Sequence, residues 1–101
     1  MKNFRTFDLA VAFYREAKGL SLPAHLRDQL LRAASSIALN LCEGRGKQTL
    51  KEQLRYFHIA MGSARECHAI LVLSDVTAAS SLHRAHDAVC ASLHRLIQYA
   101  K

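Results

Sequence analysis

The sequence predicts an all-α protein, an antiparallel up-down-up-down four-helix bundle forming a single domain over residues 1–101. Three observations predict it. Apolar residues recur at three- and four-residue spacing through most of the chain, helix-breaking stretches are few, and the connections they leave are short. Half of the residues are hydrophobic, with one Pro and four Gly, which favours helices and leaves more apolar surface than a small core can hide. No strand alternation, internal repeat or low-complexity segment competes.

The first helix is expected over about residues 6–19. Leu9, Phe13, Glu16 or Ala17, and Leu20 form one stripe, while Phe7, Val11 and Tyr14 form another. Two apolar faces suggest one for the core and one for a neighbouring subunit. Gly19 closes this helix. Pro23 then suits the first position of a second helix, where its missing N–H has no intrahelical partner in any case.

That second helix is expected over about residues 23–43, with Leu30, Ala34, Ile37 and Leu41 drawing its apolar seam. Gly44-Arg45-Gly46-Lys47 reads as a turn whose glycines supply unusual φ angles. A third helix over about residues 50–76 would be about 40 Å long. Thr49 and Glu52 have the spacing of a capping box at its start. Leu50, Leu54, Phe57, Met61, Ala64, His68 and Leu71 alternate by four and three, the spacing of knobs-into-holes packing. Tyr56, Ile59 or Ala60, Ser63, Cys67 and Ile70 mark a second buried face. Residues 77–81 form a connection with Ser80 or Ser81 as N-cap. The fourth helix, about residues 81–100, turns Leu82, Ala85, Val89, Leu93 and Leu96 inward.

The formal charge of +6 and a pI near 9.7 point to an anionic partner, nucleic acid before a membrane surface. Three cysteines inside helical patterns argue against a disulfide framework and read as reduced thiols. The N-terminus lacks a signal-peptide core and no apolar run approaches a membrane span, so the expected location is cytoplasmic, without a membrane partner.

Two constellations stand out. Gln29, Arg32, Ser36, Asn40 and Glu43 step by three and four along the second helix as a polar seam. Their types suit a partly buried hydrogen-bond network, with Glu43 accepting from an Arg and fixing register. On that reading Glu43→Ala destabilises the fold or its assembly. As a catalytic site the seam lacks a second acid or base in a cleft. The other constellation is basic: Arg45 and Lys47 at the turn lead into Lys51 and Arg55 on the third helix, with Arg65 further along. Such a track contacts successive phosphates without reading sequence, or else is a solvated face paired with Glu52 and Glu66. Tyr56 is the one aromatic near it, so stacking on single-stranded bases is not indicated.

Other chemistry has less support. His86, Cys90 and His94, with Cys67 and His68 on the third helix, have metal-ligand types, but three ligands along one helix converge poorly on one ion, and no metal or cofactor is expected. No nucleophile elbow or phosphate-binding loop is present.

The run Gln29-Leu30-x-Arg32-Ala33-Ala34-x-Ser36-Ile37-x-x-Asn40-x-x-Glu43-Gly44 resembles the signature of small bundle proteins found in intervening sequences of bacterial large-subunit ribosomal RNA genes. Glu52, Tyr56, Phe57, Ile59-Ala60, Gly62-Ser63 and Glu66 resemble the family's second block, and Phe7 and Leu9 fit its start. Ala38 stands where the family usually has proline, and the approach to the second helix is short and lacks the usual acidic residue. The resemblance implies a homopentameric ring of four-helix bundles without known enzymatic activity. A distant similarity to the accessory variability determinant of diversity-generating retroelements implies a basic ring that holds RNA or DNA, and a protein partner such as a reverse transcriptase. The leading expectation is therefore a non-enzymatic homo-oligomer that binds nucleic acid. The alternative is a scaffold that docks another protein.

Overall fold

The computed structural model describes residues 4–77 and 80–100. Residues 1–3 and 101, and the middle of the last connection, lie outside them. Four helices follow in order: α1 (Arg5–Lys18), α2 (Ala24–Arg45), α3 (Leu50–Leu73) and α4 (Ser81–Ala100). Each packs against its two neighbours in the ring α1, α2, α3, α4, and the diagonal pairs stay apart. Residue numbers fall on one helix as they rise on the next: Ser36 meets Ser63, Thr6 meets Ser92, and Ser81 meets Glu16. The bundle is antiparallel throughout.

The core takes one stripe from each helix. On α1 it is Thr6, Ala10, Phe13 and Ala17, so Leu9 and Leu20 sit beside the stripe rather than in it. On α2 the expected seam of Leu30, Ala34, Ile37 and Leu41 is wholly buried. The core of α3 mixes the two expected lines as Phe57, Ala60, Ala64, Cys67, Ile70 and Leu71, leaving Leu50 and His68 exposed. On α4 it is Leu82, Val89, Leu93 and Ile97, with Leu96 only half-buried.

The buried polar side chains Thr6, His83, His86 and Ser92 are paired, whereas the Ser74 hydroxyl just past α3 is buried without a partner among the described residues. Thr6 and Ser92 hydroxyls lie 2.6 Å apart between α1 and α4. His86, 5% exposed, donates its Nε2–H to the Ala64 carbonyl at 2.7 Å and meets the Phe13 ring edge-on at 5.7 Å. Because a carbonyl only accepts, this bond places a proton on Nε2.

The helix ends follow local chemistry. Pro23 is the N-cap rather than the first residue of α2, its extended ψ of 143° holding it outside the helix while its carbonyl accepts from Leu26 and Arg27. The Thr49 hydroxyl accepts from the Glu52 N–H at 3.2 Å, and the Ser80 hydroxyl caps α4 by accepting from His83. Helix α3 stops at Leu73, not residue 76. Asp75 adopts φ 58°, and N–H groups of Asp75 and Val76 return to the carbonyls of Val72 and Leu71, a Schellman closure made without glycine.

The end of α2 differs more. The helix runs through Gly44 to Arg45, and Gly46 has an ordinary φ of −81°. No glycine among the described residues has positive φ, so the turn does not use the freedom expected of it. Gly44 is instead buried where α2 and α3 approach each other, against Tyr56 and Phe57.

Candidate nucleic-acid interface

The basic residues divide into a cluster and an outlier. Where α2 ends and α3 begins, the antiparallel turn places Arg45 and Lys47 beside the first turns of α3. The Arg45 guanidinium lies over the Phe4 ring, 4.4 Å from its centroid. Lys47 and Arg55 both lie over the Tyr56 ring, at 5.2 and 5.5 Å. These distances are within cation–π reach, which holds the cations at the surface without neutralising them. Lys51 is exposed on the same first turn of α3. Four cations thus share one end of the bundle.

Arg65 is apart from them. Ten residues separate it from Arg55, about 15 Å along a helix. It lies close enough to α4 to act on the Cys90 thiol. It remains exposed on the same side of α3 as Lys51 and Arg55, so the line predicted along that helix is a solvent-facing one.

The polar seam forms a smaller network than its periodicity predicts. Ser36 and Ser63 hydroxyls lie 2.9 Å apart, and Asn40 Nδ2 donates to the Ser36 carbonyl at 2.8 Å and to its hydroxyl at 3.0 Å. Gln29, Arg32 and Glu43 are exposed. Glu43 pairs with Lys47 at 3.5 Å, not with an Arg, and is 61% exposed. Such an i,i+4 surface pair contributes little, since both ions remain hydrated. Glu43→Ala is therefore expected to change the unfolding free energy by less than about 0.5 kcal/mol in urea titrations. A loss well above that value would restore the structural role the sequence suggested.

The thiols and imidazoles of α3 and α4 are structural neighbours. Cys90 Sγ lies 3.6 Å from His86 Nε2, and the His68 ring packs against both His83 and His86. His94 is exposed, and no group of three or more metal-ligating side chains comes together among the described residues. Burial, with help from Glu66 and Cys90, pushes the Cys67 thiol up to about 12. Burial and Asp87 likewise raise Cys90, against the pull of Arg65. Thiols held protonated in this way are poor nucleophiles.

The fold also brings aromatic rings to the basic end that sequence proximity did not reveal. Phe4, Phe57 and Tyr99 come from three helices or their approaches and share one cleft with Arg45. Only antiparallel packing of α1 against α4 makes the two ends of the chain neighbours of the α2–α3 turn.

No helix among the described residues is long and apolar enough to cross a membrane. No curated protein matches the chain. The family model described as 23S rRNA-intervening sequence protein matches residues 4–96, from the approach to α1 into the last turns of α4. Covered over nearly its whole length by that model, and folded as four helices, the chain belongs to the 23S rRNA-intervening sequence protein family.

Proposed function

We propose that this protein is a non-enzymatic, self-associating bundle that holds the phosphate backbone of RNA or DNA on its basic end. One observation carries the reading: Arg45, Lys47, Lys51 and Arg55 gather at a single turn of a chain whose formal charge is +6. A Lys or Arg that replaces a condensed counterion on a phosphate gains affinity without base recognition. The family is not a known enzyme family, and the residues that line the cleft at the basic end, Phe4, Arg45, Gln53, Phe57, Leu96 and Tyr99, include no carboxylate, imidazole or thiol to act as a general base.

Surface chemistry supports self-association. Leu39 is 66% exposed and Leu73 70%, and Val72 beside it is more than half exposed. Gly62 lies mid-helix on the exposed face of α3, and a Cβ there would meet nothing within 4 Å. Glycine at such a position costs roughly 0.5–1 kcal/mol relative to alanine with no return inside the chain. Close approach of a second copy gives that cost a use. A pentameric ring, as the family resemblance implies, would repeat the basic end and multiply a weak contact by avidity. Gly62→Leu is expected to keep the helical circular dichroism of the wild type and to lower the mass seen by light scattering. Unchanged mass takes this face out of the assembly.

The binding test is fluorescence anisotropy of a labelled structured RNA and a DNA duplex, titrated with nuclease-treated protein at low and physiological salt. Binding that weakens steeply with salt supports phosphate contact. Replacing Lys47, Lys51 and Arg55 together with Gln should weaken both ligands and lower the salt slope by about three. Equal affinity in the triple variant removes the assignment. The exposed leucines favour one second reading, a scaffold for another protein, which predicts no salt-sensitive binding to either nucleic acid.

A further inference from the structure

The cleft at the basic end has its own chemistry. Phe4, Arg45, Gln53, Phe57, Leu96 and Tyr99 enclose about 330 Å³. That is near the lower end of small-molecule sites, which run from about 300 to 1,000 Å³. That volume has room for one heterocycle with part of a sugar and is far too small to take a duplex. Phe57 is nearly buried, whereas the Tyr99 ring is 85% exposed at the lip. Arg45 contributes a planar guanidinium already stacked on Phe4. Gln53 donates from Nε2 to the Lys47 carbonyl at 2.9 Å, which leaves its amide oxygen and second N–H for another partner.

We propose that this cleft takes a single unpaired base of a nucleic-acid strand, an assignment that rests on the phosphate-binding reading above. Every base has a π-face, and proteins take unstacked bases on aromatic rings and on guanidinium planes. The cleft offers both, a tyrosine ring at the lip and the Arg45 plane beside it. Lys47 stands next to Arg45 in the chain turn, where the phosphate joined to a stacked nucleotide would lie. An apolar peptide anchor would fill the same volume but would bring no negative charge to Arg45, Lys51 and Arg55, for which no carboxylate partner is seen among the described residues, Glu43 being paired with Lys47 alone. Charge complementarity therefore selects the nucleotide. Gln53 supplies hydrogen bonds suited to a base edge without requiring one particular base. The consequence is a preference for single strands, loops or bulges over continuous duplex.

The experiment compares a short single-stranded RNA carrying 2-aminopurine with the same strand annealed to its complement. Each is titrated against wild type, Tyr99→Ala, Tyr99→Phe and the triple Gln variant. Wild type should bind the single strand more tightly and quench its fluorescence by stacking. Tyr99→Ala should weaken single-strand binding about tenfold and abolish the quenching, with duplex binding unchanged. Tyr99→Phe should restore both. Tyr99 is exposed, so its replacement leaves the core intact. If Tyr99→Ala binds and quenches like wild type while the triple variant weakens both ligands, the base cleft is overturned and the phosphate reading survives. If wild type binds neither ligand, both fall. If Tyr99→Ala changes neither ligand but breaks a complex with another protein, the cleft is a protein-docking site instead.

Discussion

Phe13→Ala is expected to destabilise the bundle by about 3–5 kcal/mol, a large share of the roughly 5–15 kcal/mol that holds a domain of this size folded. The ring is fully buried on α1 and touches the His86 imidazole edge-on. His86 in turn bonds the Ala64 carbonyl on α3. One aromatic therefore braces α1 against a side chain that ties α4 to α3. Its removal leaves a cavity at this junction and loosens the orientation of the buried imidazole. Neighbouring side chains cannot readily fill the gap, because Ala10, Ala17 and Ala64 around the core are already short. The expected fall in melting temperature is more than about 10 °C, with a matching shift of the urea midpoint. Phe13→Leu, which keeps most of the volume, should lose less than about 1.5 kcal/mol. A loss below about 1 kcal/mol for the alanine variant would mean that the helices close over the gap.

Much of the fold is legible in residue spacing because burial along a helix is a property of one face. Leu30, Ala34, Ile37 and Leu41 lie on one stripe, and that stripe is buried whatever it packs against. Thr49 and Ser80 announce helix starts by a chemistry that acts within one turn. The same locality explains the misses. Spacing places Gln29, Arg32 and Glu43 on one face but does not say whether another helix covers it, and within a single copy none does. Glycines at 44 and 46 look alike in sequence, yet one is buried against Phe57 and the other caps the helix in solvent. The basic cluster was readable because its members are near in sequence. The cleft beside it was not, since Phe4 and Tyr99 are at opposite ends of the chain and meet Arg45 only after four helices have assembled.

Gly44→Ala is the second large effect, and it links stability to the candidate interface. A methyl at this position would stand 2.7 and 2.9 Å from two carbons of the Phe57 ring and 3.1 Å from Tyr56 Cβ. Those distances are below van der Waals contact; the Phe57 ring packs in the core on one side and could shift only toward the cleft it lines, and Tyr56 Cβ, fixed to the α3 backbone, can move only with the helix. Alanine in place of glycine within a helix is ordinarily favourable by about 1 kcal/mol. Overpacking of a filled interface costs about 1–3 kcal/mol, so the net expectation is a loss. The strain falls on the residues that shape the basic end. Tyr56 carries Lys47 and Arg55 on its ring, and Phe57 lines the cleft beside Arg45. Displacement of α2 from α3 should therefore weaken nucleic-acid binding under conditions where the variant is still folded. Gly46→Ala is the matched control: its Cβ would make only ordinary contact at 3.6 Å with the Glu43 carbonyl, so stability and binding should stay near wild type. Urea unfolding and anisotropy on both variants separate the cases. If Gly44→Ala proves as stable as Gly46→Ala, the Phe57 ring yields, and the close approach of α2 to α3 is not what requires glycine there.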